Sequence, residues 1–281
     1  MKLKKIAAAC SLAACGLFAA AGSAQAQISG DVIRIGIITD MSSVYADIDG
    51  QGGIEAIKMA IADFGGTVNG KKIELIVKDD TGVADVTRRH AQELIVNDKV
   101  AAIAGFSLTP LALAVAPVIT QSKTPAIIMT AGTSVITERS PYFVRVSFTL
   151  PQQSVPIAEW AAKNGAKTAV SLVSDYGPGI DAQNAFKMRF EEQGGKVLEQ
   201  LKAPLANPEF SPFLQRAKDA NPDSMYLWVP GGSQPAAIGK ALDLAVGAAV
   251  PPRVASISMG NPGLSPLDLF VRGIVGGEIG M

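Results

Sequence analysis

Reactive side chains are scarce in this sequence, and the scarcity narrows the chemistry. His90 is the only histidine and the two cysteines are Cys10 and Cys15, so a multi-histidine metal site and a conventional histidine-based hydrolase are nearly excluded. Asp79 and Asp80 stand together at the end of an apolar run. No other metal ligand is at hand in the sequence, so turn and capping chemistry is expected of them rather than a metal pair. His90, among Arg88, Arg89 and Gln92, is expected in solvent. A glycine cluster, Gly50-Gln51-Gly52-Gly53, precedes a helix-spaced pattern, with Asp79 and Asp80 where a ribose-binding acid would sit. That outline makes a dinucleotide-dependent enzyme a remote alternative, because a long loop separates Ile38 from Gly50, whereas a phosphate-binding glycine loop follows its strand almost at once.

The groups that remain suit binding, and the elements that must position them can be read from composition and periodicity. The chain has 281 residues, 25 basic and 25 acidic, with 48% hydrophobic and 18% charged. It is neither disordered nor a basic nucleic-acid binder, and its size suits two ordinary domains. Lys2, Lys4 and Lys5 open the chain, an apolar and small-residue stretch follows over residues 6–22, and Ala24-Gln25-Ala26 is a small-x-small cleavage site. This is the pattern of a secretory signal peptide over residues 1–26, with a mature chain expected to begin at Gln27. Its removal leaves acids in excess and takes away both cysteines, so no thiol chemistry is expected in the exported protein. Leu12-Ala13-Ala14-Cys15 looks like a lipoprotein box, but the sequence stays apolar after Cys15, which favours ordinary cleavage and a soluble periplasmic form.

From residue 32 onward, β-branched runs alternate with helix-spaced apolar patterns. Strands are predicted over residues 32–38, 72–78, 100–106, 125–129 and 143–146. Helical spacing marks residues 54–64, 84–97 and 111–120. Around residues 149–153 the apolar pattern lapses, and the alternation then starts afresh. Helices are predicted over 155–164, 181–193, 210–219 and 234–246, with strands over 168–173, 196–201, 224–229 and 254–257 and a last apolar run at 271–275. The expected fold class is α/β, with a first lobe over residues 27–150 and a second over 151–281, each a parallel sheet flanked by helices. In such sheets ligands sit beyond the carboxyl ends of the strands. The loops there, residues 39–50, 106–110, 130–134, 174–179, 230–233 and 258–263, are rich in Ser, Thr, Gly and aromatics and poor in charge. They suit a small ligand held by hydroxyls, backbone groups and ring faces.

The order of several segments resembles one family. They are Lys72-Ile73-Glu74-Leu75-Ile76-Val77-Lys78-Asp79-Asp80, residues 91–95 with Asp98-Lys99-Val100-Ala101-Ala102-Ile103-Ala104-Gly105, Ala112-Leu113-Ala114-Val115-Ala116-Pro117, and the turn Asp175-Tyr176-Gly177. With the export signal, the chain is similar to periplasmic solute-binding proteins of the branched-chain amino acid type, the receptors of ABC importers. The resemblance implies a type I two-lobed fold that closes on its ligand. It implies a carboxylate held by the Thr109 hydroxyl and the backbone of Ser107, with the Ala131 carbonyl and the Thr133 hydroxyl beside them. Ring faces are expected from Tyr45, Phe106, Tyr176 and Trp228. For Thr109 and Thr133 the competing role is helix capping, and for Trp228 it is core packing. The implied partners are a small-molecule carboxylate and a membrane permease. No cofactor, metal or nucleic acid is implied, and a monomer is expected.

Family members that bind α-amino acids use a second-lobe acid for the ammonium group. The matching loop here reads Ser258-Met259-Gly260-Asn261-Pro262-Gly263-Leu264. Asn261 can donate or accept a hydrogen bond but cannot neutralise an ammonium, so an aromatic or other apolar carboxylate is the expected ligand. A branched-chain amino acid or amide, with Asp40, Asp47 or Asp175 in the missing acid's role, is the alternative ligand, and a periplasmic ligand sensor the alternative function. Chains of the family continue past the point matching residues 276–281, so the last elements of the first lobe are expected to be missing here.

Overall fold

A computed structural model describes residues 30–246 and 253–258; the expected signal peptide, Asn261 and the apolar run at 271–275 lie outside them. The run Val-Ile-Arg-Ile-Gly-Ile-Ile-Thr forms β1 (Val32–Thr39), whose carboxyl-terminal half is buried. It pairs in parallel with β3 (Lys71–Asp79) on one side and β4 (Ala102–Gly105) on the other. The short β2 (Thr67–Val68) runs antiparallel on the edge of β3. Beyond β4 lie β5 (Ala126–Ile128) and β6 (Phe143–Arg145), giving the order β2-β3-β1-β4-β5-β6. The second sheet contains β7 (Thr168–Ser174), β8 (Lys196–Ala203), β9 (Ser224–Val229) and β10 (Arg253–Ser258). All its described pairings are parallel, in the order β10-β9-β7-β8.

Helices α1 (Gln51–Asp63), α2 (Ala84–Val96) and α3 (Thr109–Ser122) make the crossovers of the first sheet. Helices α5 (Gly177–Glu192), α6 (Ser211–Asp219) and α7 (Gln234–Val246) make those of the second. Between the sheets, α4 (Leu150–Lys163) opens on a capping box in which Thr149 Oγ1 accepts from Gln152 N while Thr149 N donates to Gln152 Oε1. No described helix is long and apolar enough to cross a membrane.

Helix α3 starts at Thr109 rather than at residue 111 because Pro110 has a backbone angle suited to a first turn and lacks an N–H that would have no partner there. It buries Ala112, Val115, Ala116 and Ile119 in one core with Ile103, Ile128 and Phe143. In β9 successive side chains enter opposite cores: Tyr226 and Trp228 face Phe186 and Phe190, while Met225, Leu227 and Val229 face Leu201 and Leu214.

Both sheets reverse their winding at a central strand, β1 in the first and β7 in the second. Ligands of open α/β sheets bind at such points, beyond the strands' carboxyl ends. A π-helical turn over Ala46–Gly50 and a 3-10 turn over Ser134–Glu138 stand at the first lobe's strand ends, where sequence periodicity marked only loops.

Candidate ligand cleft

At the end of β4 the chain turns sharply. Gly105 has φ +121°, and a Cβ there would lie 2.0 Å from the Ile38 carbonyl oxygen, so only glycine permits β1 and β4 to approach this closely. Phe106 follows at φ 67°. Its side chain is fully buried against Phe143, with ring centroids 6.4 Å apart, and serves the core rather than the expected ring face on the ligand. The Ser107 hydroxyl then returns to β1, accepting from Asp40 N at 3.0 Å and sharing a 3.1 Å hydrogen bond with Thr39 Oγ1.

Thr109 and Thr133 meet across the cleft floor, their hydroxyls 2.7 Å apart and buried. Neither caps a helix: Thr109 is the first residue of α3, and Thr133 precedes the 3-10 turn without a side-chain capping bond. Ala131 N donates to the Phe106 carbonyl, which ties the β5 loop to the β4 loop. Behind Thr133, the Arg145 guanidinium donates to its carbonyl. Burial lowers the Arg145 pKa, and the charge of Asp181 opposes that shift.

The second lobe supplies the facing wall. Tyr176 packs on Trp228 with ring centroids 5.8 Å apart, and its hydroxyl lies 3.1 Å from that of Tyr45 in the first lobe. Burial pushes Tyr45 up to about 12 and Tyr176 well above the ordinary phenol value, so both are neutral hydrogen-bonding groups at physiological pH. Trp228 is fully buried in the core and also lines the cavity, and its indole N–H has no partner among the described residues. Tyr45, Ser107, Thr109, Thr130, Pro178 and Trp228 are among the residues enclosing a space of about 10 Å³. That is room for one water at most, so a ring-sized ligand requires the lobes to part. A second contact between lobes closes the rim, where Asp181 of α5 accepts from Ser134 N at 2.8 Å and Ser134 Oγ at 3.0 Å.

Tyr45, Ser107, Thr109, Ala131 and Trp228 thus line one cavity, with Thr133 and Tyr176 bonded to its members. Asn261 lies outside the described residues. Sequence reasoning did not single out Ser134, Arg145 or Asp181, because no local motif links positions so far apart.

The acidic pair behaves as turn chemistry predicts. Asp79 accepts from Met41 N, Thr81 N and Ser42 Oγ, and Asp80 from Gly82 N and Thr87 Oγ1. The fold adds Asp40, bringing three carboxylates within 4.8 Å of one another. The oxygens of Asp40 are nevertheless occupied by Ser42 N, Ser43 N, Ser43 Oγ and Tyr45 N, which is loop closure rather than a prepared cation site. The same bonds occupy the acids that a ribose would need. Gly50 approaches the Asp40 carbonyl, where a Cβ would lie at 2.9 Å. His90 is not solvated as expected: its ring contacts Glu93 Oε2 and the Asp79 carbonyl, both at 3.2 Å, with 16% of the side chain exposed.

Residues 32–278 match the family model described as periplasmic binding protein. Leu/Ile/Val-binding protein homolog 6 of Brucella abortus (strain 2308) is 40% identical over 232 residues, 82% of this chain and 57% of that relative. A solute binding protein of an ABC transporter from Rhodopseudomonas palustris BisB5, solved in complex with 3,4-dihydroxybenzoic acid, is 51% identical. Its TM-score is 0.73, over 82% of this chain and 62% of the other. A solute binding protein from R. palustris in complex with 4-hydroxybenzoate is 41% identical, with a TM-score of 0.76 over 80% of this chain and 61% of the other. The chain therefore spans about three fifths of the length of these relatives. Two largely parallel sheets whose switch points face one another across a hydroxyl- and ring-lined cleft agree with that match over most of the sequence, and the chain belongs to the periplasmic binding protein family.

Proposed function

We propose that the protein is the extracytoplasmic substrate-binding component of an ABC importer. It captures a small aromatic carboxylate between two lobes and delivers it unchanged to a membrane permease. The observation that carries this reading is the shared cavity lined by Thr109 of the first lobe and Trp228 of the second, with the Thr133 hydroxyl bonded to Thr109 and the Tyr176 ring packed on Trp228. The hydroxyls exchange their mutual hydrogen bond for the ligand's carboxylate, aided by the Ser107 backbone and by the Arg145 charge behind Thr133. The rings of Tyr45, Tyr176 and Trp228 cover the apolar body. Two similar solute-binding proteins, solved with hydroxylated benzoates, support the ligand class. Export with cleavage after Ala26 belongs to the same reading.

A second reading, a branched-chain amino acid receptor, is favoured by the name of the Brucella relatives. Calorimetric titration with benzoate-type acids and with leucine separates the two. A charge-assisted hydrogen bond contributes about 1.5–3 kcal/mol, so Thr109→Ala is expected to weaken aromatic-acid binding at least about tenfold. Tight leucine binding with none of aromatic acids would reject the proposal, and unchanged affinity in Thr109→Ala would reject the carboxylate site.

A further inference from the structure

Trp228 is fully buried, and its indole N–H has no hydrogen-bond partner among the described residues. A buried N–H left unpaired is costly, and native structures nearly always supply a partner from the chain, from water or from a ligand. The indole N–H lies in the plane of its ring. Tyr176 packs against Trp228 with the two rings tilted by 41°, a contact of ring surfaces that does not satisfy the donor at the edge. The ring borders the interlobe cavity beside Thr109 and Pro178, so the missing partner can arrive through that space.

The backbone of the second lobe also comes close to the Thr109–Thr133 pair. Gly177, the first residue of α5, is placed so that a Cβ would lie 3.3 Å from Thr109 Cγ2 and 3.6 Å from Thr133 Oγ1. No side chain caps this end of α5, its first turn carries no acid, and Pro178 has no N–H. The partial positive charge of the helix end therefore lies beside the two hydroxyls. No carboxylate side chain is among the residues lining the cavity. The groups gathered there from both lobes favour an anion.

We infer that Trp228 is a specificity-determining residue whose indole N–H donates to the carboxylate held at Thr109, so that the carboxylate itself ties the second lobe to the first. The inference rests on the carboxylate site of the reading above, whichever acid occupies it. An indole is a donor only, so it rewards an acceptor and cannot serve an ammonium. Its bond to a charged acceptor is stronger than one to a neutral acceptor. Because the donor belongs to the second lobe, that gain is realised only on closure.

The test follows the indole signals of the two tryptophans, Trp160 and Trp228, by heteronuclear NMR of the purified, nitrogen-labelled protein, with Trp160→Phe to tell them apart. Benzoate and leucine are the probes, and calorimetry compares benzoate with neutral benzamide in the wild type and in Trp228→Phe. On binding benzoate, the Trp228 indole proton is expected to move downfield. Trp228→Phe keeps a ring in place, and it is expected to weaken benzoate binding by roughly tenfold or more and benzamide binding by only about threefold. A Trp228 signal that stays in place while benzoate or leucine binds, or equal losses for benzoate and benzamide, would overturn the inference and leave the Thr109 site standing. The same downfield shift with leucine, and no binding of benzoate, would uphold the inference while rejecting the aromatic-acid reading. If neither acid binds the wild type, both fall.

Discussion

Asp79 and Asp80 are adjacent in sequence, yet their surroundings drive them in opposite directions. Burial acts to raise the Asp79 pKa, but the N–H groups of Met41 and Thr81 and the Ser42 hydroxyl outweigh it, and the carboxyl is held below its usual range. At Asp80 burial dominates the opposing Gly82 N–H and Thr87 hydroxyl and pushes the pKa up to about 6. An acid with a raised pKa binds its proton in the folded state at pH values where the unfolded chain has released it. Its contribution therefore makes stability increase as pH falls from about 6 towards the unfolded carboxyl value near 4. Asp80→Asn, which retains an acceptor for Gly82 N, is expected to raise the melting temperature at pH 7.5 and to lose that advantage at pH 4.5. Melting curves at the two pH values check this, and a constant difference would show that Asp80 is ionised throughout.

At the scale of elements, the close approach of strand ends depends on glycine. Gly105 combines φ +121° with a carbonyl 2.0 Å from any Cβ, whereas Gly194, in the α5–β8 turn, has φ +84° but open space around it. Gly105→Ala is expected to cost more than about 3 kcal/mol, because both backbone strain and a backbone clash must be relieved. Gly194→Ala should cost only about 1–2 kcal/mol, from the left-handed conformation alone. Urea unfolding of both variants measures the difference, and equal losses would mean that the β1–β4 junction can relax. Its rigidity matters for the site because Ser107 and Thr109 leave the sheet directly after this turn.

At the scale of the molecule, the polar contacts between the lobes among the described residues include Tyr45 with Tyr176 and Ser134 with Asp181, with Leu150 N on the Gly132 carbonyl at the crossing. Asp181 also faces the Arg145 guanidinium. A ligand stabilises the closed form by its differential affinity, so contacts made only on closure add to binding without touching the ligand. Asp181→Ala removes two hydrogen bonds between lobes. It is expected to weaken ligand binding by about tenfold, chiefly through faster dissociation, with a larger scattering radius in the absence of ligand. Stopped-flow dissociation and small-angle scattering report on the two effects, and unchanged values in both would assign closure to the aromatic contacts.

The alternation of β-branched runs with helix-spaced patterns was enough to read the α/β class and most of the described elements, because each strand and helix buries a face that its own residues encode. The hydroxyl and aromatic content of the strand-end loops likewise pointed to a binding cleft, since parallel sheets bring those ends together whatever their order. The sequence could not reveal which side chains in those loops turn outward. Phe106 enters the core because its backbone adopts a left-handed conformation beside Gly105, and Thr109 and Thr133 bond each other instead of capping helices. His90, whose polar neighbours in sequence suggest a solvated ring, is instead held against the end of β3. Ser134 and Asp181 meet only where the two lobes come together, and Arg145 reaches the Thr133 carbonyl only once the first lobe has folded. Such pairings join residues far apart in the chain, and they depend on strand order and closure rather than on local pattern.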